Sequence, residues 1–186
     1  GWAERRPHSW GRMCEGMEAR TDRPEPAKTP GVLYVRGANV RKGYYKNPDA
    51  TAEVLGADGW LNTGDICTID SDGYLYLRGR MKNMILSSSG QNVYPEEIEV
   101  RLNNLPLVGE SVVVDRGGKI VALVHPDYES GHKLGLTDTE IDVRVMANLP
   151  VLNASLPAYA RVNRFEIHAD EFEKTPKHSI RRFLYQ

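Results

Sequence analysis

Twice between residues 58 and 80 the chain sets Asp-Gly ahead of an aromatic residue and a Leu, first in "DGWLNTGD" and then in "DGYLYLRGR". Asp-Gly supplies the positive φ of a tight turn, and the aromatic–Leu pair after it opens a strand. The repetition commits this region to two closely spaced hairpins. Residues 66–69 and 74–77 are expected to pair across the second turn, "DSDG". Turn chemistry leaves two things unexplained. One is Thr63-Gly64-Asp65, which closes the first copy, and the other is Arg80, which closes the second.

The flanking segments extend the pattern. "GVLYVRG" reads as a strand between glycines, and "NPDATAEVL" as a helix of a turn or two. Residues 31–78 thus form a small β-rich unit. Residues 1–30, rich in Pro, Arg and Glu, read as an extended lead-in that does not hold together unaided.

Around residues 79–82 the β-pattern gives way. Pro95 followed by Glu96 and Glu97 starts a helix, because Pro fits the first turn and acids favour its positive end. Ile98, Leu102 and Leu105 fall on one face of it. "ESVVVDRGGKIVALVHPD" is two alternating strands around a Gly-Gly turn. Thr137 and Glu140 make a capping box, and Ile141, Val145, Leu149 and Leu152 continue the apolar face of that second helix. Phe165 and Ile167 mark a last strand. Residues 83–186 therefore run strand-helix-strand-strand-helix-strand. The fold class is α+β: a small β-rich unit, then a compact α+β domain with a three-stranded sheet and flanking helices.

Composition narrows the function classes. The chain is 40% apolar and 26% charged, as globular proteins are. Its net charge of −1, with signs interspersed, gives no footprint for nucleic acid or an acidic membrane surface. The longest wholly apolar run, residues 120–124, is far too short to span a bilayer. Cys14 and Cys67 stand apart with no CxxC spacing, so neither a disulfide nor a zinc framework is expected, and a reducing cytoplasm is the default. The charged, Pro-containing start is no signal peptide, and the lack of an initiator Met points to a fragment.

Taken alone, Thr63-Gly64-Asp65 is most often just a turn. Its chemical alternative is a carboxylate beside a flexible Gly, accepting two hydrogen bonds from a vicinal diol such as ribose. Arg80 by itself is a solvated side chain or half of an ion pair. "SSSGQN", residues 87–92, lacks the Lys-Ser/Thr ending of a phosphate loop and enters a turn, so it is no P-loop.

In order along the chain, "GVLYVRGANVRKGYYKNPDAT", "DGWLNTGD", "DGYLYLRGRMKNMILSSSGQNVYPEEIE" and "KTPKHSIRR" resemble consecutive motifs of the adenylate-forming enzymes. That family covers acyl-CoA synthetases, luciferases and the adenylation domains of peptide synthetases. The likeness runs from Gly31 to the C-terminus, and its Lys-Asn after Gly-Arg and its "GQNVYPEEIE" are most similar to long-chain fatty acyl-CoA ligases. The resemblance implies that Asp65 binds the ribose hydroxyls of ATP and of the acyl-adenylate, with Arg80 beside the same nucleotide. It places Lys82 at a hinge, where a large domain (here residues 1–79) joins a small mobile one (residues 80–186). It makes Gly90 the tip of a hairpin that lets the backbone approach the pantetheine arm of CoA. On residues alone, Lys82 is equally an exposed loop lysine and Gly90 a plain hairpin glycine.

The tail departs from the family ending, which is Pro-Lys-Thr, two residues, then Gly-Lys. Glu173 stands for the Pro, and strict alignment puts Ser179 at the catalytic lysine's position. Lys177, two residues earlier, is taken as the catalytic lysine in preference to Lys174; as bare residues both are solvated tail lysines.

The implied activity is a fatty acid–CoA ligase that uses ATP, Mg and CoA, with no metal ligand in this chain. The phosphate loop, adenine motif and acyl tunnel would precede Gly1 in an N-terminal domain, its intramolecular partner, so the fragment alone is expected to be inactive. A relative that loads a carrier protein, and a non-catalytic binding module that keeps the fold, are the alternatives.

Overall fold

The computed structural model describes residues 6–186. These divide into two compact units that meet in sequence between Asn83 and Met84.

The first unit is built on β1 (Gly11–Arg12), β2 (Met17–Thr21), β3 (Gly31–Gly37), β4 (Leu61–Ile69) and β5 (Tyr74–Arg80), with one helix, α1 (Pro48–Val54). The strands form one antiparallel sheet in the order β1-β5-β4-β3-β2. The second Asp-Gly turn joins β4 to β5 as expected. Gly73 has φ +82°, and the Asp70 carboxylate accepts the Asp72 and Tyr74 N–H groups at 2.9 and 3.0 Å. The first Asp-Gly does different work. It turns the chain from the end of α1 into β4, closed by Gly59 N–H to Gly56 O and Gly56 N–H to Trp60 O, both 2.9 Å. Leu33, Cys67 and Leu75 form the core of this unit.

The lead-in is a correction. Residues 11–12 and 17–21 are strands, and β2 pairs with β3 from Met17↔Gly37 to Thr21↔Leu33. Arg6 is paired with Asp70 at 2.6 Å and with Asp72, and it lies over the Tyr74 ring at 4.5 Å. "MEART" is polar because an edge strand is half solvated, so composition hid it. The part of the lead-in before Arg6 lies outside the described residues.

The second unit contains β6 (Ile85–Leu86), β7 (Asn92–Val93), α2 (Pro95–Leu102), β8 (Val108–Asp115), β9 (Ile120–Pro126), α3 (Tyr128–Lys133), α4 (Asp138–Met146), α5 (Leu149–Ala154) and β10 (Arg164–Ile167). Its sheet has the order β10-β9-β8, with β8 antiparallel and β10 parallel to β9. The expected strand ahead of the first helix is instead a separate two-stranded ribbon, β6-β7. The Thr137–Glu140 capping box is present. The helix it opens ends at Met146, and Leu149-Pro150 starts α5, because Pro cannot donate to a continuing helix. Ile141, Val145 and Leu152 are nevertheless all buried in one core.

Both faces of this sheet are covered. Val113, Ala122, Val124 and Phe165 face the helices through Ile98, Leu102, Ile141 and Leu152. Val112, Val114, Val121 and Leu123 form a second cluster with Phe172, and Ile180 and Tyr185 of the tail pack on it. Strands buried on two sides read as nearly continuous apolar runs, which accounts for "VVV" and "IVALV". A side chain as large as Phe172, buried to 2% exposure, stabilises by about 1.5–3 kcal/mol. The C-terminal tail is therefore a structural layer.

Candidate functional site

Asp65 and Arg80 are brought together by strand register. They face each other across β4 and β5, and Arg80 Nε lies 2.8 Å from Asp65 Oδ1. Asp65 is mostly covered (17% exposed) while Arg80 is half open (54%). The backbone before Asp65 is specially built. Thr63 Oγ1 donates to Leu33 O at 2.9 Å and accepts the Asp65 N–H at 3.1 Å, while the Asn62 side-chain oxygen takes the Gly64 N–H at 2.9 Å. Gly64 has φ +72°, a conformation that side chains resist, so Gly is required there. Arg80 Nη1 reaches back to Thr63 O at 3.4 Å.

The result is a carboxylate in the middle of β4 held against a guanidinium at the end of β5. Its charge is felt locally: the buried Cys67 thiol is pushed up to about 11, by burial first and then by Asp65. Beside the pair opens a cavity of about 730 Å³ lined by Val35, Tyr44, Leu61, Gly64 and Arg80 among others. That volume is in the range of small-ligand sites.

Lys82 is exposed in a single 3-10 turn, Met81–Asn83, directly after β5. Gly79 and Arg80 are strand residues, so the sequence boundary at 79/80 falls inside β5, and the compact units divide after Asn83.

Gly90 is in the β6-β7 turn, its N–H donating to Ser87 O at 2.9 Å. Its φ is +76°, and a Cβ there would meet nothing within 4 Å. The glycine serves the turn, and the space above it is open.

The tail lysines differ sharply. Lys174 and Ile180 form a bridge that closes a loop, with Thr175 N–H to Ser179 O at 2.8 Å and His178 N–H to Thr175 O at 2.9 Å. Lys174 is tied to Glu110 at 2.8 Å, a bond that raises its pKa. Lys177 stands exposed at the loop tip and makes no ion pair among the described residues. His178 has φ +57° at the place where the adenylate-forming pattern has Gly, and Ser179 is exposed.

One pair escaped the sequence reading. Arg182 Nη1 and Nη2 bind the two Glu99 carboxylate oxygens at 2.7 and 2.6 Å, with side chains only 16% and 11% exposed. Glu99 belongs to α2. Its signal was position: one residue after Ile98 and three before Leu102, it flanks the buried stripe.

Residues 82–185, more than half of the chain, match the family described as AMP-binding enzyme C-terminal domain, and the chain belongs to that family. Its relatives include the 3-[(3aS,4S,7aS)-7a-methyl-1,5-dioxo-octahydro-1H-inden-4-yl]propanoyl:CoA ligase of Rhodococcus jostii, 38% identical over 81% of this chain and 28% of that protein. The long-chain-fatty-acid–CoA ligase FadD15 of Mycobacterium tuberculosis is 36% identical over 82% of this chain and 28% of its own length. The structure of the anthranilate CoA ligase AuaEII in complex with anthranoyl-AMP superposes with a TM-score of 0.78 at 26% identity, covering 97% of this chain and 34% of that one. The chain thus spans about a quarter of the length of these curated relatives.

Proposed function

We propose that this chain is the C-terminal part of a fatty acid–CoA ligase, in which the first unit ends the large AMP-binding domain and the second is the small mobile one. The observation that carries this is the Asp65–Arg80 pair, set in register beside an open cavity within a chain of the adenylate-forming family. A fatty carboxylate attacks the α-phosphate of ATP, pyrophosphate leaves, and acyl-AMP forms. The CoA thiol then attacks the acyl carbon, AMP leaves, and the thioester results. Asp65 accepts the ribose hydroxyls through both steps, and Arg80 lies beside the same nucleotide. Lys177 stabilises the charge that builds on the phosphate oxygens. Lys82 is the hinge about which the second unit turns, and the Gly90 turn then approaches the pantetheine arm.

Among the described residues no group of three or more His, Cys, Asp or Glu could hold a metal. No helix among them is long and apolar enough to cross a membrane. The cytoplasm is the compartment proposed. Fatty acid as the substrate rests on FadD15 and on the "GQNVYPEEIE" run; the indenyl and anthranilate ligases act on ring-bearing acids.

The test is Asp65→Asn in the complete protein, assayed for acyl-adenylate with a panel of fatty and ring-bearing acids. Losing a charge-assisted contact to ribose should raise KM for ATP by roughly ten- to a hundredfold, since such bonds are worth about 1.5–3 kcal/mol. An unchanged KM removes Asp65 from the nucleotide site, and turnover of ring-bearing acids alone overturns the fatty acid. One observation favours a second reading. Ser179 stands in the lysine's place, as a binding module that has lost catalysis would show. Adenylate formation by the wild type decides between them.

A further inference from the structure

We infer that the Glu99–Arg182 pair is the anchor that fixes the Lys177 loop to the second unit, making Arg182 a positioning residue for adenylate formation; this rests on the function proposed above. The reason lies at the edge of the sheet. β8 is an edge strand, so its outward backbone groups lack a strand partner. Val113 presents one such N–H and C=O. The N–H donates to Glu99 Oε1 at 2.6 Å, and the C=O accepts from Arg182 Nη1 at 3.0 Å. Glu99 comes from α2 and Arg182 from the tail, and they close on each other through two charged hydrogen bonds. The ion pair thereby takes the place of a neighbouring strand at Val113.

Such an arrangement holds only while every member is present. Removing Arg182 leaves a covered carboxylate and an unmet carbonyl, which is far costlier than losing an exposed pair. Arg182 follows the loop closely in sequence, next to Arg181, which binds Glu173 at 3.2 Å on the loop's incoming side. Lys174 binds Glu110 of β8 on that same incoming side. The loop is thus fastened on both sides to one strand, while its tip, Lys177, extends outward. A lysine on a long flexible stem is useful at a transition state only if its backbone is placed in advance.

The test compares wild type, Arg182→Ala and Arg182→Lys. In the 186-residue chain, hydrogen exchange is read at the Val113, Thr175 and His178 amides, with Ala122 in the central strand as the reference. Arg182→Ala should speed exchange at the first three by more than tenfold while Ala122 stays within about twofold, since the loss is local. In the complete protein, Arg182→Ala should cut acyl-adenylate formation by roughly thirtyfold, an effect that misplacing a catalytic group produces. Thioester formation from supplied acyl-adenylate should remain within about threefold, because Lys177 serves only the first step. Arg182→Lys, which keeps the charge and one bond, should recover part of the first step. Unchanged exchange at Thr175 and His178, or an equal fall in both half-reactions, overturns the anchor. If wild type makes no adenylate, the ligase reading fails, and the exchange comparison alone decides the anchor.

Discussion

Lys177, Lys174 and Ser179 occupy one loop with three different situations, and substitution separates them. Lys177→Ala in the complete protein should lower adenylate formation about a hundredfold, the scale of about 3 kcal/mol lost when one transition-state donor is removed. Thioester formation from supplied adenylate should persist. Ser179→Ala removes an exposed hydroxyl and should leave both steps unchanged, while Lys174→Ala removes the Glu110 pair that fastens the incoming side of the loop and should lower adenylate formation less than Lys177→Ala does. A step-selective loss larger with Lys174→Ala than with Lys177→Ala would move the catalytic role to Lys174. Cys67 gives a second test at this scale. Its folded value is raised from about 9 to about 11, so the folded protein holds the proton more tightly than the unfolded chain. The Cys67 contribution to stability should therefore be lost as pH rises from about 9 to about 11, making the slope over that range shallower in Cys67→Ala by urea unfolding. Cys14, exposed, should react with a thiol reagent at neutral pH while Cys67 does not.

The packing of α3 on α4 sets two opposing effects against each other. Gly131 lies inside α3, where Ala would gain about 1 kcal/mol of helix propensity. A Cβ there runs into Ile141 Cδ1 and Cγ1, in a fully buried side chain that has no open space to move into. Overpacking costs about 1–3 kcal/mol, so Gly131→Ala should lower Tm despite the better propensity. Thr137→Ala should also lower it, by about 1 kcal/mol, through the capping box. The box was legible because it is a spacing of residue types. The break between α4 and α5 was not, because Ile141, Val145 and Leu152 keep a helical spacing across Pro150. Strand β2 was missed for the converse reason: its pairing with β3, not its composition, makes it a strand.

Across the whole chain, the strands of the second unit and the turn after β5 should differ in exchange. Amides of Met81–Asn83 are expected to exchange much faster than those of Ile120–Pro126, as a hinge at Lys82 requires. Equal protection would remove the hinge. The 186-residue chain is also expected to show no pyrophosphate exchange into ATP. One carboxylate and one arginine can hold a ribose but cannot align a triphosphate. Exchange activity from the purified chain would overturn that.

Turn residues, caps and alternating apolar runs act over a few residues, so they were determined locally. Asp70-Gly73, Thr137-Glu140 and the β8–β9 run needed nothing distant to be read. Asp65 and Arg80 could be named as candidates in the same way, each at the end of a motif. Their 2.8 Å approach came only from the register of β4 on β5. The Glu99–Arg182 anchor joins a helix to a tail far along the chain. No periodicity records that meeting; only the folded sheet edge, with Val113 needing both a donor and an acceptor, decided it.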